Sequence, residues 1–265
     1  MATRRRVKPR LLVEERRRRI LDLLKTRERL TVEELVKEFH VSGVTIRTDL
    51  DALARARKVV RSHGGALRST EPYPDIPLNV KETLHHGEKV RIGHAAAALI
   101  KDGDTIILDS GTTTAEIARQ IKLLKLQSLT VITNALTIAL ELAYLPHVRV
   151  LMIGGDVRQL SASTVGPLAE RALASLNADR LFLGVDAIDL DIGLSTPDTS
   201  EAQVNQLMIK AAREVIAVAD SSKFGRRSLS MIARLSDVHR IITDTNLDAD
   251  MVRVLRERNI DVLVV

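Results

Sequence analysis

Apolar residues recur along the chain with two different periods, and the change of period divides it. Near the start the spacing is helical. Leu12, Ile20, Leu21, Leu23 and Leu24 predict a first helix over roughly residues 13–26. Val32, Leu35, Val36 and Phe39 predict a short second helix. Ile46, Leu50 and Leu53, at i, i+4 and i+7, predict the buried stripe of a third. Further on, short apolar runs take over, predicting strands at 105–108, 130–133, 148–153, 180–185, 214–219, 240–243 and 261–265. The stretches 113–122, 136–143, 166–175, 201–212 and 249–258 between them have helical character. Regular alternation of strand and helix predicts an α/β fold with a mainly parallel sheet.

Polar residues at the element ends sharpen the first part. Thr31-Val32-Glu33-Glu34 has the form of a capping box. His40-Val41 makes a turn and Ser42 caps the third helix. At about 100° per residue, Val44, Thr45, Thr48 and Asp51 fall opposite the buried stripe, with Arg47 on a flank. Asp49 lies beside the stripe and is expected to be structural. Short side chains at a helix start permit close approach to a DNA groove, and Arg bonds guanine edges or phosphates. Lys58 to Leu67 then reads as a two-stranded wing with a Gly-Gly turn, or as strand plus turn, and its two glycines bring backbone close to phosphate. Arg16 to Arg19 cannot all face one way on the first helix, so some face solvent or phosphate.

Charge supports this reading. Residues 1–70 hold 19 Lys and Arg against 9 Asp and Glu, whereas the remainder holds 21 against 25. A basic head on a slightly acidic body points to a polyanion as the partner of the head. With only 2% aromatic residues and no Trp, base stacking on single strands is disfavoured, and duplex DNA is the expected partner. The absence of Cys excludes disulfides and thiolate metal sites and fits a reducing, cytoplasmic setting. No apolar run reaches membrane-spanning length, and no secretory leader is expected. His85, His86 and His94 lack the partners of a metal site, so no metal or cofactor is expected. Pro72, Pro74 and Pro77 predict an extended, fairly stiff connector, followed by renewed helix over 80–100.

In parallel sheets, ligands bind beyond the carboxyl ends of the strands, so the residues there are the candidates. The first strand runs into Asp109-Ser110-Gly111-Thr112-Thr113-Thr114, a small hydroxyl-rich loop feeding a helix N-terminus, which suits an anion. The second ends at Thr133-Asn134. The third ends at Gly154-Gly155, with Arg158 offering a planar fork for phosphate or carboxylate. The fourth ends at Gly184-Val185-Asp186, and the fifth at Asp220-Ser221-Ser222-Lys223-Phe224-Gly225.

Residues 16–67 resemble the N-terminal domain of the DeoR family of bacterial transcriptional regulators. The resemblance is carried by Arg16, Ile20, Ser42, Thr45-Ile46-Arg47-Thr48-Asp49-Leu50 and Arg61-Ser62-His63-Gly64-Gly65-Ala66. One departure is Thr48, where the family usually has Arg. The body resembles the family's effector domain through Asp109–Thr113, Thr133-Asn134, Gly154-Gly155 with Arg158, Gly184–Asp186, Glu201-Ala202 and 220–225. That domain is similar to ribose-5-phosphate isomerase.

The resemblance implies a winged helix-turn-helix domain (1–67), a proline-containing linker and connecting helix (68–92), and an isomerase-like effector and oligomerisation domain (93–265). It implies a repressor of a sugar-catabolism operon, acting as a dimer or tetramer on operator DNA and controlled by a phosphorylated sugar. The expected DNA contacts are Arg16, Ser42, Thr45, Arg47, Thr48, Arg61, His63 and Gly64. The expected effector contacts are Asp109, Ser110, Gly111, Thr112, Thr113, Asn134, Gly154, Gly155, Arg158, Asp186 and Lys223. The alternative is an active sugar-phosphate isomerase with a DNA-binding extension, using Asp186, Asp189 or Glu201 as a base. It is disfavoured because Leu190–Ser195 lacks the lysine and glycine-rich loop expected of an active isomerase, so no catalytic residues are assigned.

Overall fold

Thr31 and Glu34 cap each other's backbone. Glu34 N–H donates to Thr31 Oγ1 at 3.2 Å and Thr31 N–H donates to Glu34 Oε2 at 2.6 Å. This fixes the start of the second helix in a computed structural model that describes residues 12–27, 29–55, 59–62, 64–68 and 75–265. The chain divides into two units, residues 1–71 and 72–265. The first contains α1 (Val13–Thr26), β1 (Arg29–Thr31), α2 (Val32–Phe39), α3 (Gly43–Arg55), β2 (Val59–Ser62) and β3 (Gly65–Arg68). His40 ends α2 in the left-handed region (φ 53°), which turns the chain sharply into α3. Ile20, Leu24, Leu30, Leu35, Ile46 and Leu50 form the interior, each contributing roughly 1.5–3 kcal/mol by its burial. The three strands pair antiparallel in the order β1-β3-β2. The sequence pattern predicts the wing pair β2 and β3 but not β1, which at three residues is too short to show a period.

The second unit begins with two helices, α4 (Leu78–Thr83) and α5 (His86–Ala97). It continues β4 (Thr105–Leu108), α6 (Thr112–Ile121), β5 (Leu129–Thr133), α7 (Leu136–Leu142), β6 (Val148–Met152), β7 (Asp156–Arg158), β8 (Ser163–Val165), α8 (Pro167–Leu173), β9 (Ala178–Gly184), β10 (Ala187–Asp189), β11 (Gly193–Thr196), α9 (Thr199–Ala211), β12 (Ala212–Val218), β13 (Ser230–Ala233), β14 (Arg240–Thr243), α10 (Ala249–Glu257) and β15 (Asp261–Val264). Seven strands form one parallel sheet in the order β15-β14-β12-β9-β4-β5-β6. Continuous aliphatic runs such as Thr105–Leu108 suit it, since a central parallel strand is covered on both faces. Two apolar clusters result. Ile107, Leu181, Leu183 and Val215 belong to one, and Ile106, Leu108, Phe182 and Ile216 to the other.

The segment from residue 78 to 92, expected to belong to a linker, is part of this second unit. α5 packs on α6 so closely that a Cβ on Gly93 would stand 2.6 Å from Glu116 Cβ.

The order of strands sets the place of a ligand site. From β4 the chain builds outward through β5 to β6, and from β9 it builds the other way through β12 and β14 to β15. β4 and β9 are neighbours, with Ile107 opposite Leu181. The carboxyl ends of these two strands therefore open onto the crevice where the winding direction reverses.

Candidate functional site

A cavity occupies that crevice. Its lining includes Asp109 to Thr113 beyond β4, Gly184 to Asp186 beyond β9, Thr196 from β11, Glu201 and Asn205 from α9, Lys223, and Leu78, Lys81 and Lys89 from the α4–α5 segment. Gly111 has φ +153°, and its carbonyl accepts from Ala115 N–H at 3.0 Å and Thr114 Oγ1 at 3.0 Å. This turn sets Ser110 to Thr113 at the start of α6, where unpaired backbone N–H groups and the helix dipole favour an anion.

Charges around the cavity are interlocked. Lys81 Nζ lies 2.7 Å from Asp186 Oδ1, and Lys223 Nζ lies 3.8 Å from the same oxygen. Burial alone would raise the pKa of Asp186, but the two ammonium groups outweigh it and hold the carboxyl below its ordinary range. Thr196 Oγ1 stands 3.3 Å from both Asp186 Oδ2 and Glu201 Oε2. Burial raises the pKa of Glu201. Asp109 is buried, and burial followed by the nearby charge of Glu201 pushes its pKa up to about 8. The ammonium of Lys89 is buried too. It donates to the carbonyl oxygens of Lys81 and Leu84, both at 2.5 Å, and burial brings its pKa down to about 8. Three lysines thus face Asp186, Glu201 and an Asp109 that is largely protonated at neutral pH. A dianion would be electrostatically welcome there.

Of the expected effector residues, Asp109, Ser110, Gly111, Thr112, Thr113, Asp186 and Lys223 come together in this lining. Asn134, Gly154, Gly155 and Arg158 do not line the cavity. Asn134 is buried against β8, its amide donating to Thr164 O at 3.1 Å. Gly155 has φ +151°, and a Cβ there would come within 2.5 Å of Val165 O, so its smallness serves the packing of the β7–β8 hairpin. Gly154 is exposed beside it. Arg158 is bound internally rather than open to a ligand. Its guanidinium pairs with Asp75, with Asp198 at 3.1 Å and with Glu201 at 3.3 Å.

Lys81, Lys89, Thr196, Glu201 and Asn205 escaped assignment as effector residues. Glu201 and Asn205 are four apart on α9 and share a face, a signal present in the sequence. The lysines lay in a stretch read as connector.

In the first unit, Ser42, Arg47 and Thr48 are exposed and Thr45 is half-buried at the start of α3. Ser42 Oγ accepts from Thr45 N–H at 3.2 Å and lies 2.9 Å from Thr45 Oγ1. Thr48 Oγ1 donates back to Val44 O at 3.0 Å. Gly64 forms the turn between β2 and β3, its carbonyl accepting from Val32 N–H at 2.7 Å. His63 lies outside the described residues, as does the side chain of Arg61, whose backbone belongs to β2. Arg16 requires a correction. It is buried, with Nε 2.5 Å from Asp49 Oδ2, while Arg17 Nε meets Asp49 Oδ1 at 3.0 Å. Arg16 ties α1 to α3 inside the unit instead of presenting its charge to phosphate.

Among the described residues no group of His, Cys, Asp and Glu is arranged to hold a metal ion. No helix among them is long and apolar enough to cross a membrane.

Comparison with known proteins covers both units. The family model for the DeoR-like helix-turn-helix domain matches residues 16–71, and that for the DeoR C terminal sensor domain matches residues 84–245. The chain is 38% identical over 255 residues to an uncharacterized HTH-type transcriptional regulator of Bacillus subtilis (strain 168), spanning 96% of this chain and 98% of that one. It is 37% identical over 233 residues to the transcriptional repressor AccR of Agrobacterium fabrum, spanning 88% and 90%. It is 31% identical over 246 residues to the glycerol-3-phosphate regulon repressor of Escherichia coli (strain K12), spanning 93% and 96%. Among solved structures, ribose 5-phosphate isomerase A of Methanocaldococcus jannaschii is similar at a TM-score of 0.37 and 18% identity, over 51% of this chain and 53% of that one. That likeness is too loose to transfer any site residue.

Proposed function

Because the chain belongs to the DeoR family of transcriptional regulators, we propose that it represses a sugar-catabolism operon under the control of a phosphorylated sugar held between β4 and β9. The observation that carries the effector is the gathering of Lys81, Lys89 and Lys223 around the Ser110–Thr113 loop. The loop and ammonium groups receive the phosphate, while Asp186, Glu201 and Thr196 offer acceptors to sugar hydroxyls. A relative named as a glycerol-3-phosphate regulon repressor supports a phosphorylated metabolite as the ligand class.

The relatives matched are regulators, and the carboxylates of the cavity serve recognition in this reading, not turnover. The first unit presents Ser42, Thr45, Arg47 and Thr48 to the major groove of duplex operator DNA, with Gly64 and its neighbours at the backbone. Further copies of the chain complete a dimer or tetramer, so that two α3 helices meet two half-sites.

Two measurements test this. A gel shift with duplex DNA from upstream of the neighbouring genes should show binding that weakens steeply with added salt; no binding at low salt would end the DNA reading. A thermal-shift screen of sugar phosphates should raise the melting temperature, and the active compound should alter the gel shift. A screen in which no phosphorylated sugar changes either readout would end the effector reading.

A further inference from the structure

Helix α4 is mounted on the second unit by polar contacts. None of its six residues is buried, so apolar burial does little to hold it. Leu78 N–H donates to Leu160 O at 2.8 Å. Glu82 accepts from Arg119 Nη2 at 2.7 Å. The buried Lys89 ammonium fastens the helix end by its bonds to Lys81 O and Leu84 O. The remaining tie is Lys81 itself, whose side chain enters the cavity to meet Asp186. Just upstream, Asp75 is tied through Arg158 to Glu201, a second cavity carboxylate. Two of the anchors on the stretch that follows the boundary between the units at residue 71/72 are therefore made on carboxylates that line the cavity.

An ammonium carries three donors, and Lys81 gives one to Asp186. Lys223 shares the same carboxylate oxygen from 3.8 Å. A dianion lodged beside that carboxylate would be drawn to both ammonium groups. We propose that Lys81 is an effector-binding residue carried by the connector, so that a phosphate group in the cavity and the docked state of α4 stabilise each other. The proposal rests on the reading of the cavity as an anion site. By linkage, whatever docks α4 more firmly raises affinity for the phosphate, and the phosphate docks α4 more firmly by the same factor. The chemistry is that of a phosphate monoester or of inorganic phosphate, and the experiment separates the two.

The test is amide hydrogen exchange of the full-length chain, read over residues 78–84. Samples contain ribose 5-phosphate, inorganic phosphate, or chloride at matched ionic strength, and their melting temperatures are recorded alongside. With ligand at about four times its Kd, exchange in α4 should slow about fivefold and the melting temperature should rise. A response to ribose 5-phosphate alone assigns the site to the monoester, and an equal response to both assigns it to phosphate itself. Lys81→Met should weaken binding about tenfold and abolish the slowing, and Lys81→Arg should restore part of both. A rise in melting temperature without slower exchange over 78–84 overturns the proposal and leaves the anion site standing. So does a folded Lys81→Met chain that binds as tightly as the natural one. No rise with either anion overturns the anion site, and the proposal with it. Exchange of the natural chain decides the matter even if the Met variant does not fold.

Discussion

The side-chain amide of Asn205 donates to the Asp109 carboxyl at 2.8 Å, and both residues are buried. This bond joins α9 to the end of β4 immediately behind the Ser110–Thr113 loop. The backbone N–H groups of Ser110 and Gly184 also point at Asp109, so one carboxyl gathers the ends of β4 and β9 and a helix from beyond them.

That carboxyl makes stability depend on pH. Its pKa is about 8 in the folded chain against about 3.9 when unfolded. Between those values the folded state holds a proton that the unfolded state has lost. The contribution of Asp109 is complete below about pH 4 and disappears as pH rises through about 8, at no more than about 1.4 kcal/mol per pH unit. Melting temperatures from pH 5 to pH 9 should decline in the natural chain, and Asp109→Asn should flatten the decline. Parallel profiles for the two chains would show that Asp109 does not carry this proton.

The buried pair of Arg16 and Asp49 gives a second expectation. Asp49→Ala takes the carboxylate away from the buried Arg16 and should cost the first unit about 3–5 kcal/mol. Replacing both by apolar residues, Arg16→Met with Asp49→Leu, should recover most of that loss. Denaturation followed by circular dichroism measures both. An Asp49→Ala loss under about 1 kcal/mol would mean that Arg16 reaches water and remains available to DNA.

Substitutions at Arg47 and Thr48 should divide affinity from choice of sequence. Arg47→Ala should weaken operator binding about tenfold, and the slope of log affinity against log salt should fall by about one if its contact is to phosphate. Thr48→Arg adds a cation on the exposed side of α3, where Thr48 now bonds back to Val44 O. It should raise affinity or shift the preferred operator, as read by binding to a randomised half-site. Unchanged affinity and preference would place position 48 away from the groove.

Lys223 provides an effector test at a residue outside α4. Lys223→Ala removes one of the two cations on Asp186. The concentration of sugar phosphate needed to change operator binding should rise about tenfold or more. An unaltered dose response would move the ligand elsewhere.

The fold was largely legible because its core is aliphatic and its strands are short runs bounded by turns. Strand 105–108 and strand 240–243 fall where the pattern puts them, and α1 does as well. The hairpin β7–β8 and the small sheet β10-β11-β13 were not legible. Their strands are three or four residues long, and Gly and Ser dilute their pattern. At the site, residues directly after β4 and β9 could be assigned because strand direction alone dictates where they point. Arg158 and Asn134 have the right chemistry but do not line the cavity, Arg158 being held in ion pairs and Asn134 buried against β8. Arg158 is surrounded by three carboxylates, all of them distant in sequence. Lys81 and Lys89 were missed for the opposite reason. Their positions depend on how α4 and α5 dock, and prolines 72, 74 and 77 gave the region the look of a spacer.

The neighbouring of β4 and β9 also governs when the site comes into being. Ile106 lies beside Arg180, and all of α6, β5, α7, β6, the β7–β8 hairpin and α8 intervene along the chain. Closing so long a loop costs entropy before any contact across the crevice repays it, and such pairings form slowly. A nascent chain that has emerged only as far as β6 has the Ser110–Thr113 loop but no opposite wall. The cavity is consequently completed late in the synthesis of each molecule, after the whole of the first unit has already been made.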